Sequence, residues 1–309
     1  MNFTTLAPWA WIPIVLWAAT AQTLRNASQR TLTASIGTLP ATLVRFLYGL
    51  PFAAAWLALL YAMPDAPRTL PHFNAGYFAW LSLGAVAQIG ATAFLLAAMK
   101  ERNFIVAVTF SKTEVLQVAL FSMLFLHELP SLLSVLAMLV ATIGVVLLSR
   151  PKAASPGSAE TGWLSRATLY GLASGAGFAL SAVGYRGAAL VLNETSPWLA
   201  GAWGVLWAQT LQTLLLCGWL AWRTPTALVA ILHAWKLSLL AGMMGAFASI
   251  GWFTAFALRP AADVRTLGLV EVLFSYLLSH RLFREKLSGT ERTGLLLVTL
   301  GLIVVCAQL

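Results

Sequence analysis

The chain has 309 residues, of which 60% are hydrophobic and only 9% charged, with a net charge of +9. A soluble domain carries about 25% charged residues, so this composition excludes a soluble enzyme, a disordered chain and a nucleic-acid binder. What remains is an all-α polytopic membrane protein with the lipid bilayer as its solvent.

Ten mostly apolar runs, each near the length of about 20 residues that crosses a bilayer, are expected at 8–27, 40–61, 74–98, 104–125, 131–149, 164–186, 197–221, 235–257, 264–282 and 290–308. Ala19-Thr20-Ala21 looks like a signal cleavage site, but residues 1–8 carry no Lys or Arg, so we read an uncleaved first span. That span carries Trp17 and Gln22, with Arg25 and Asn26 beyond. Pro40 opens the second span, where a missing N–H costs little. Arg45, one turn inside it, is expected to snorkel to the headgroups. Gln88 lies in span 3, and Lys112 and Glu114 lie in span 4. The turn His127-Glu128-Leu129-Pro130 leads into span 5, with Glu128 as a helix cap. The polar stretch 149–158 then divides the chain almost in half. Gly171, Gly175 and Gly177 in span 6 do not form a phosphate loop, because no strand precedes them and no Lys-Ser/Thr follows. Small residues at such spacing let helices approach closely. Pro197 opens span 7, which holds Trp203, Gln209 and Gln212; Glu271 lies in span 9, and Glu285 in a second turn that matches Glu128.

Sliding the chain on itself by 157 residues brings Glu114-Val115-Leu116 onto Glu271-Val272-Leu273, Glu128 onto Glu285 and Pro40 onto Pro197. Thr142 and Gly144 fall on Thr299 and Gly301. Two copies of a five-helix unit are therefore expected: residues 1–150, a linker at 151–163, and residues 164–309. Five is odd, so the second copy enters the membrane from the opposite side. This 5+5 inverted repeat is the plan of many secondary transporters, with a shared cavity near the midplane.

Fourteen of the nineteen Lys and Arg side chains fall on the side that follows spans 1, 3, 5, 7 and 9, against four on the side of the termini. Basic loops stay in the cytoplasm, so both termini are expected in the periplasm of a bacterial-type inner membrane.

Ionisable groups inside spans are functional candidates by default. Glu114 and Glu271 occupy equivalent depths, where a carboxyl can exchange protons or hold a cationic substrate group. Proton coupling follows as an expectation. Lys112 is a salt-bridge partner for such a carboxylate, but it cannot face Glu114 on one helix from two residues away. Gln22, Gln88, Trp17 and Trp203 complete the expected cavity lining, the tryptophans as surfaces for an aromatic or ammonium group. His72, His127, His233 and His280 have no partners at ligand spacing, and Cys217 and Cys306 sit in apolar runs. No metal or other cofactor is expected.

This layout resembles the drug/metabolite transporter superfamily, specifically its EamA-domain branch. The resemblance is carried by Leu16-Trp17-Ala18-Ala19-Thr20 in the first span, by Pro40 with Arg45-Phe46 in the second, and by a Glu turn and a glycine-bearing last helix in each half: Glu128 with Gly144, and Glu285 with Gly301. It implies an exporter or exchanger of small molecules such as amino acids. Members of the family commonly keep both termini in the cytoplasm, the reverse of the loop-charge reading. A multidrug or quaternary-ammonium exporter using the same carboxylates is the alternative reading. A membrane-embedded enzyme would need paired catalytic residues, which the sequence does not display.

Overall fold

In the computed structural model the described residues are 7–64, 69–98, 110–148, 166–194, 196–274 and 289–308, and every element among them is helical. In chain order these are α1 (Trp11–Ile36), α2 (Thr38–Leu47), α3 (Leu50–Tyr61), α4 (Ala75–Ala98), α5 (Glu114–Phe121) with a π-turn at Ser122–Leu126, and α6 (Leu132–Leu148). Then follow α7 (Arg166–Leu192), α8 (Pro197–Arg223), α9 (Pro225–His233), α10 (Trp235–Leu258), α11 (Ala261–Leu267) and α12 (Gly289–Cys306). The chain is a multi-pass membrane protein. Among the described residues six helices are long and apolar enough to cross a bilayer: Thr38–Tyr61, Ala75–Ala98, Thr168–Leu192, Pro197–Arg223, Trp235–Leu258 and Gly289–Cys306. Glu114–Leu126 and Leu132–Leu148 are shorter apolar helices. The expected spans 104–125 and 264–282 and the linker 151–163 lie wholly or partly outside the described residues.

The helix ends follow local chemistry. α1 continues nine residues past the expected end, because its polar second half satisfies itself. The hydroxyls of Thr23, Ser28, Thr31 and Thr33 donate to carbonyls one turn back, which removes the cost of carrying them through hydrocarbon. Gly37, at φ 92°, ends the helix, and its N–H donates to Thr33 O at 3.2 Å. The second span breaks at Tyr48-Gly49. Pro51 has no N–H for the Leu47 carbonyl, so the helix bends there. Ser196 caps α8 ahead of Pro197 at its first turn.

Three helix pairs pack most tightly: α4 on α7, α1 on α10, and α6 on α12. Small residues set these crossings. A Cβ on Gly184 would lie 2.7 Å from Gly84 N, and a Cβ on Gly144 would lie 2.7 Å from Gly294 O. Lipid tails supply no hydrophobic drive between helices, so such close backbone contact is what holds them together. Between these pairs, α5 meets both α7 and α11, and α8 meets α2, α3 and α10.

Candidate functional site

The segments expected as spans 4 and 9 share a local interruption. Helical geometry lapses at Lys112-Thr113, just before Glu114, and at Gly268-Leu269, two residues before Glu271. On both sides the backbone tightens to i→i+3 bonds: Leu116 N to Thr113 O at 3.1 Å, and Glu271 N to Gly268 O at 3.1 Å. Tightened turns inside a helix mark hinges and functional positions. Glu114 then opens α5, and Glu271 is the second helical residue after its interruption, so each lies in a first turn, where a negative charge is favoured.

Glu271 is buried and fully engaged. Lys112 Nζ donates to Oε2 at 2.7 Å, Gln22 Nε2 donates to the same oxygen at 2.8 Å, and Asn26 Nδ2 donates to Oε1 at 2.8 Å. Gln22 is oriented in turn by Trp252, whose Nε1 donates to its Oε1 at 3.0 Å. Asn26 is oriented by Arg25, whose Nη2 donates to its Oδ1 at 2.6 Å. Glu114 pairs with Arg265, whose Nη2 donates to Oε1. The Arg265 guanidinium lies 4.8 Å over the Trp252 ring, so one tryptophan braces both ion pairs. Each glutamate therefore takes its cation from the other half of the chain.

Arg45 completes the centre. It is 1% exposed, and its Nη1 donates to Thr92 Oγ1 at 3.1 Å. Gly245 makes room for it. A Cβ there would lie 3.1 Å from Arg45 Cγ and 3.5 Å from Arg25 Cδ. A cavity of about 20 Å³ opens beside Arg45, with Gln22, Gln88, Ser181, Ser249 and Arg265 as polar lining and Phe178, Tyr185, Trp252, Phe253 and Phe256 as aromatic lining. That volume holds roughly one water, so the site is closed in this structure. Gln88 is held by Tyr185, whose hydroxyl donates to its Oε1 at 2.9 Å, and by Gln212 Nε2 at 2.9 Å.

A second polar cluster lies at the end of the bundle near the C-terminus. Arg186 Nε donates to Glu128 Oε1 at 2.9 Å, and its Nη1 donates to Phe256 O at 2.7 Å. Ser134 Oγ donates to Asp263 Oδ1 at 3.1 Å, Ser131 Oγ to Gln308 Oε1 at 2.6 Å, and Arg259 Nη2 to Gln308 O at 2.9 Å. A cavity of about 100 Å³ lies among them. Burial pushes the Asp263 carboxyl above its ordinary range, with Glu128 adding to the rise and Ser134 and Arg259 opposing it.

Of the side chains expected at the site, Glu271, Lys112 and Gln22 meet in one network. Glu114 joins them through Arg265 and Trp252, and Gln88 lines the cavity. Trp17 is 56% exposed and meets Phe247 on the outer surface. Trp203 stands in a separate aromatic cluster with Tyr61, Phe73 and Trp207. Arg45 does not snorkel, because Thr92 and the cavity take its guanidinium inward. Arg265, counted with Arg68, Arg186 and Arg259 as the four cations on the side of the termini, is the buried partner of Glu114. Glu128 is an ion-pair partner rather than a cap, and Glu285 lies outside the described residues. Arg25 belongs to a stripe that helical spacing makes readable: Gln22, Arg25, Asn26 and Gln29 share a face of α1. Among the described residues no group of three His, Cys, Asp or Glu could hold a metal.

Residues 7–150 match the EamA-like transporter family. No curated protein matches the chain in sequence. Among solved structures, one titled only as the crystal structure of a protein shares the fold, with a TM-score of 0.64 and 19% identity over 96% of each chain.

Proposed function

We propose, from the premise that residues 7–150 are an EamA-like transporter unit, that this chain is a secondary transporter. It sits in a bacterial-type inner membrane and exports or exchanges amino acids or related small metabolites by alternating access. The observation that carries this reading is the pair of crossed ion pairs, Glu114 with Arg265 and Glu271 with Lys112, set at matching helix interruptions. Charges buried at that depth are costly unless they work, and these join the two halves across a cavity.

The packing supports a duplicated, inverted bundle. Exchanging the halves turns the α4–α7 contact into the α10–α1 contact, and it returns the α6–α12, α5–α11 and α8 to α2/α3 contacts to themselves. A pseudo-two-fold axis produces that closure, and such an axis allows one cavity to open to either side. The quaternary-ammonium reading gains no support, because both carboxylates already hold cations.

Proteoliposome flux tests the proposal. Efflux of labelled amino acids and of small organic acids is measured with and without an imposed pH gradient. Glu271→Gln is expected to lower exchange by about tenfold or more, the scale of a lost charge-assisted network. Flux unchanged by both Glu114→Gln and Glu271→Gln takes the carboxylates out of the mechanism.

A further inference from the structure

Among the described residues the buried centre holds four cations, Arg25, Arg45, Lys112 and Arg265, against two carboxylates, Glu114 and Glu271. Lys112 and Arg265 are matched by those carboxylates. Arg25 and Arg45 are each 1% exposed, and the side chains they hydrogen-bond are neutral: Asn26 and Thr92. Arg25 Nη1 and Arg45 Nε have no hydrogen-bond partner among the described residues. Arg45 lines the cavity, and Arg25 lies behind it across Gly245. Arg45 also stands in the field of Arg25 and Arg265, both of like charge.

Uncompensated charge at this depth is expensive unless something of opposite sign completes it. Glu271 lies in the field of Arg25 but is already held by Lys112, no described carboxylate answers Arg45, and a guanidinium fork is shaped to take two oxygens of an oxyanion. We infer that the central cavity binds an organic anion, its carboxylate or phosphate group at Arg45 with Arg25 adding the second positive charge. The body of the solute lies against Phe178, Trp252 and Phe256, and Gln88 supplies a polar contact. The inference deepens the transport reading and rests on it for the site's role. It assigns a sign to the solute, opposite to the cation that paired carboxylates alone suggest.

The test uses the purified full chain with matched solutes. Succinate is compared with succinamide, and glycerol 3-phosphate with glycerol, with tetraethylammonium as the cation. Binding is read by thermal shift, and exchange by counterflow in proteoliposomes. One or both anions are expected to stabilise the protein, while the neutral partners and the cation are inert. The two anion arms separate a carboxylate ligand from a phosphate ligand. Arg45→Gln is expected to weaken anion binding by roughly ten- to a hundredfold, Arg25→Gln by less, and Arg45→Lys to retain part of it. If Arg45→Gln fails to fold, the wild-type comparison of each anion with its neutral partner still decides. Binding by no anion overturns the inference, as does equal binding of anion and neutral partner, or anion binding that survives Arg45→Gln. Exchange of neutral amino acids with no anion binding removes the anion and leaves transport standing. Anion binding without exchange of any solute does the reverse.

Discussion

Glu271 accepts from three side chains at once, from α1 and from the turn ahead of α5. Losing Lys112 alone leaves a buried carboxylate with only neutral donors. Removing one partner of a buried pair costs about 3–5 kcal/mol, whereas removing both can be close to neutral. We therefore expect Lys112→Met to lower the thermal midpoint in detergent sharply, and Lys112→Met with Glu271→Gln to recover much of the loss. A double mutant no more stable than the sum of the singles would mean that the 2.7 Å contact carries little coupling. The glutamates were legible in the sequence because a charge in an apolar run stands out by itself. Lys112 was legible for the same reason, but Arg265 and Arg45 were not. Arg45 and Arg265 lie near expected span ends, where a long cation ordinarily reaches the headgroups. Only the tertiary packing of Gly245 and Trp252 turns them inward.

At the scale of elements, α6 and α12 show why the apolar helices associate. Gly144 faces Gly294 and Val298, and backbone atoms of α12 occupy the space that a Cβ would need. Backbone cannot rotate away as a side chain can. Gly144→Val should therefore separate the two helices, at a cost of about 1–3 kcal/mol, read as a lowered thermal midpoint. Gly90→Ala is the matched control, since a Cβ there meets nothing within 4 Å. Equal effects of the two substitutions would refute close packing as the role of Gly144. Helix positions were readable from apolar runs and prolines. The interruptions at Lys112-Thr113 and Gly268-Leu269 were not, because neither contains proline. Pro51 does mark the break at Tyr48-Gly49, but the expected second span runs through it unbroken at 40–61. The short helix α9 went unread for another reason: its apolar residues Val229 and Leu232 stay exposed, so it is a surface element rather than a span.

Across the whole molecule, the cluster of Glu128, Arg186, Asp263, Arg259 and Gln308 draws together four parts of the chain: the turn ahead of α6, helix α7, the junction of α10 with α11, and the C-terminus. The structure is closed at the centre, and these contacts tie the bundle at one end. Asp263 lies one residue ahead of the expected ninth span, and burial raises its carboxyl. The neutral acid therefore fits the closed arrangement better than the carboxylate does. A folded-state value above the ordinary one means that this contribution is full below the ordinary value and is lost as pH rises through the raised one. Closure at this end should weaken with rising pH over that interval. Glu128 works in the same direction, while Ser134 and Arg259 moderate it. Labelling of Ser122→Cys, a buried position on the wall of the cavity among these side chains, in a chain whose Cys217 and Cys306 are replaced by serine, follows the opening. Dividing its rate by that of Leu129→Cys, at a position 76% exposed, removes the intrinsic pH dependence of the thiol. The ratio should rise with pH, and Asp263→Asn should flatten it, because an amide keeps the neutral form throughout. A ratio that climbs equally in Asp263→Asn would place the switch on another group. A flat ratio in both would mean that these contacts open without regard to protons.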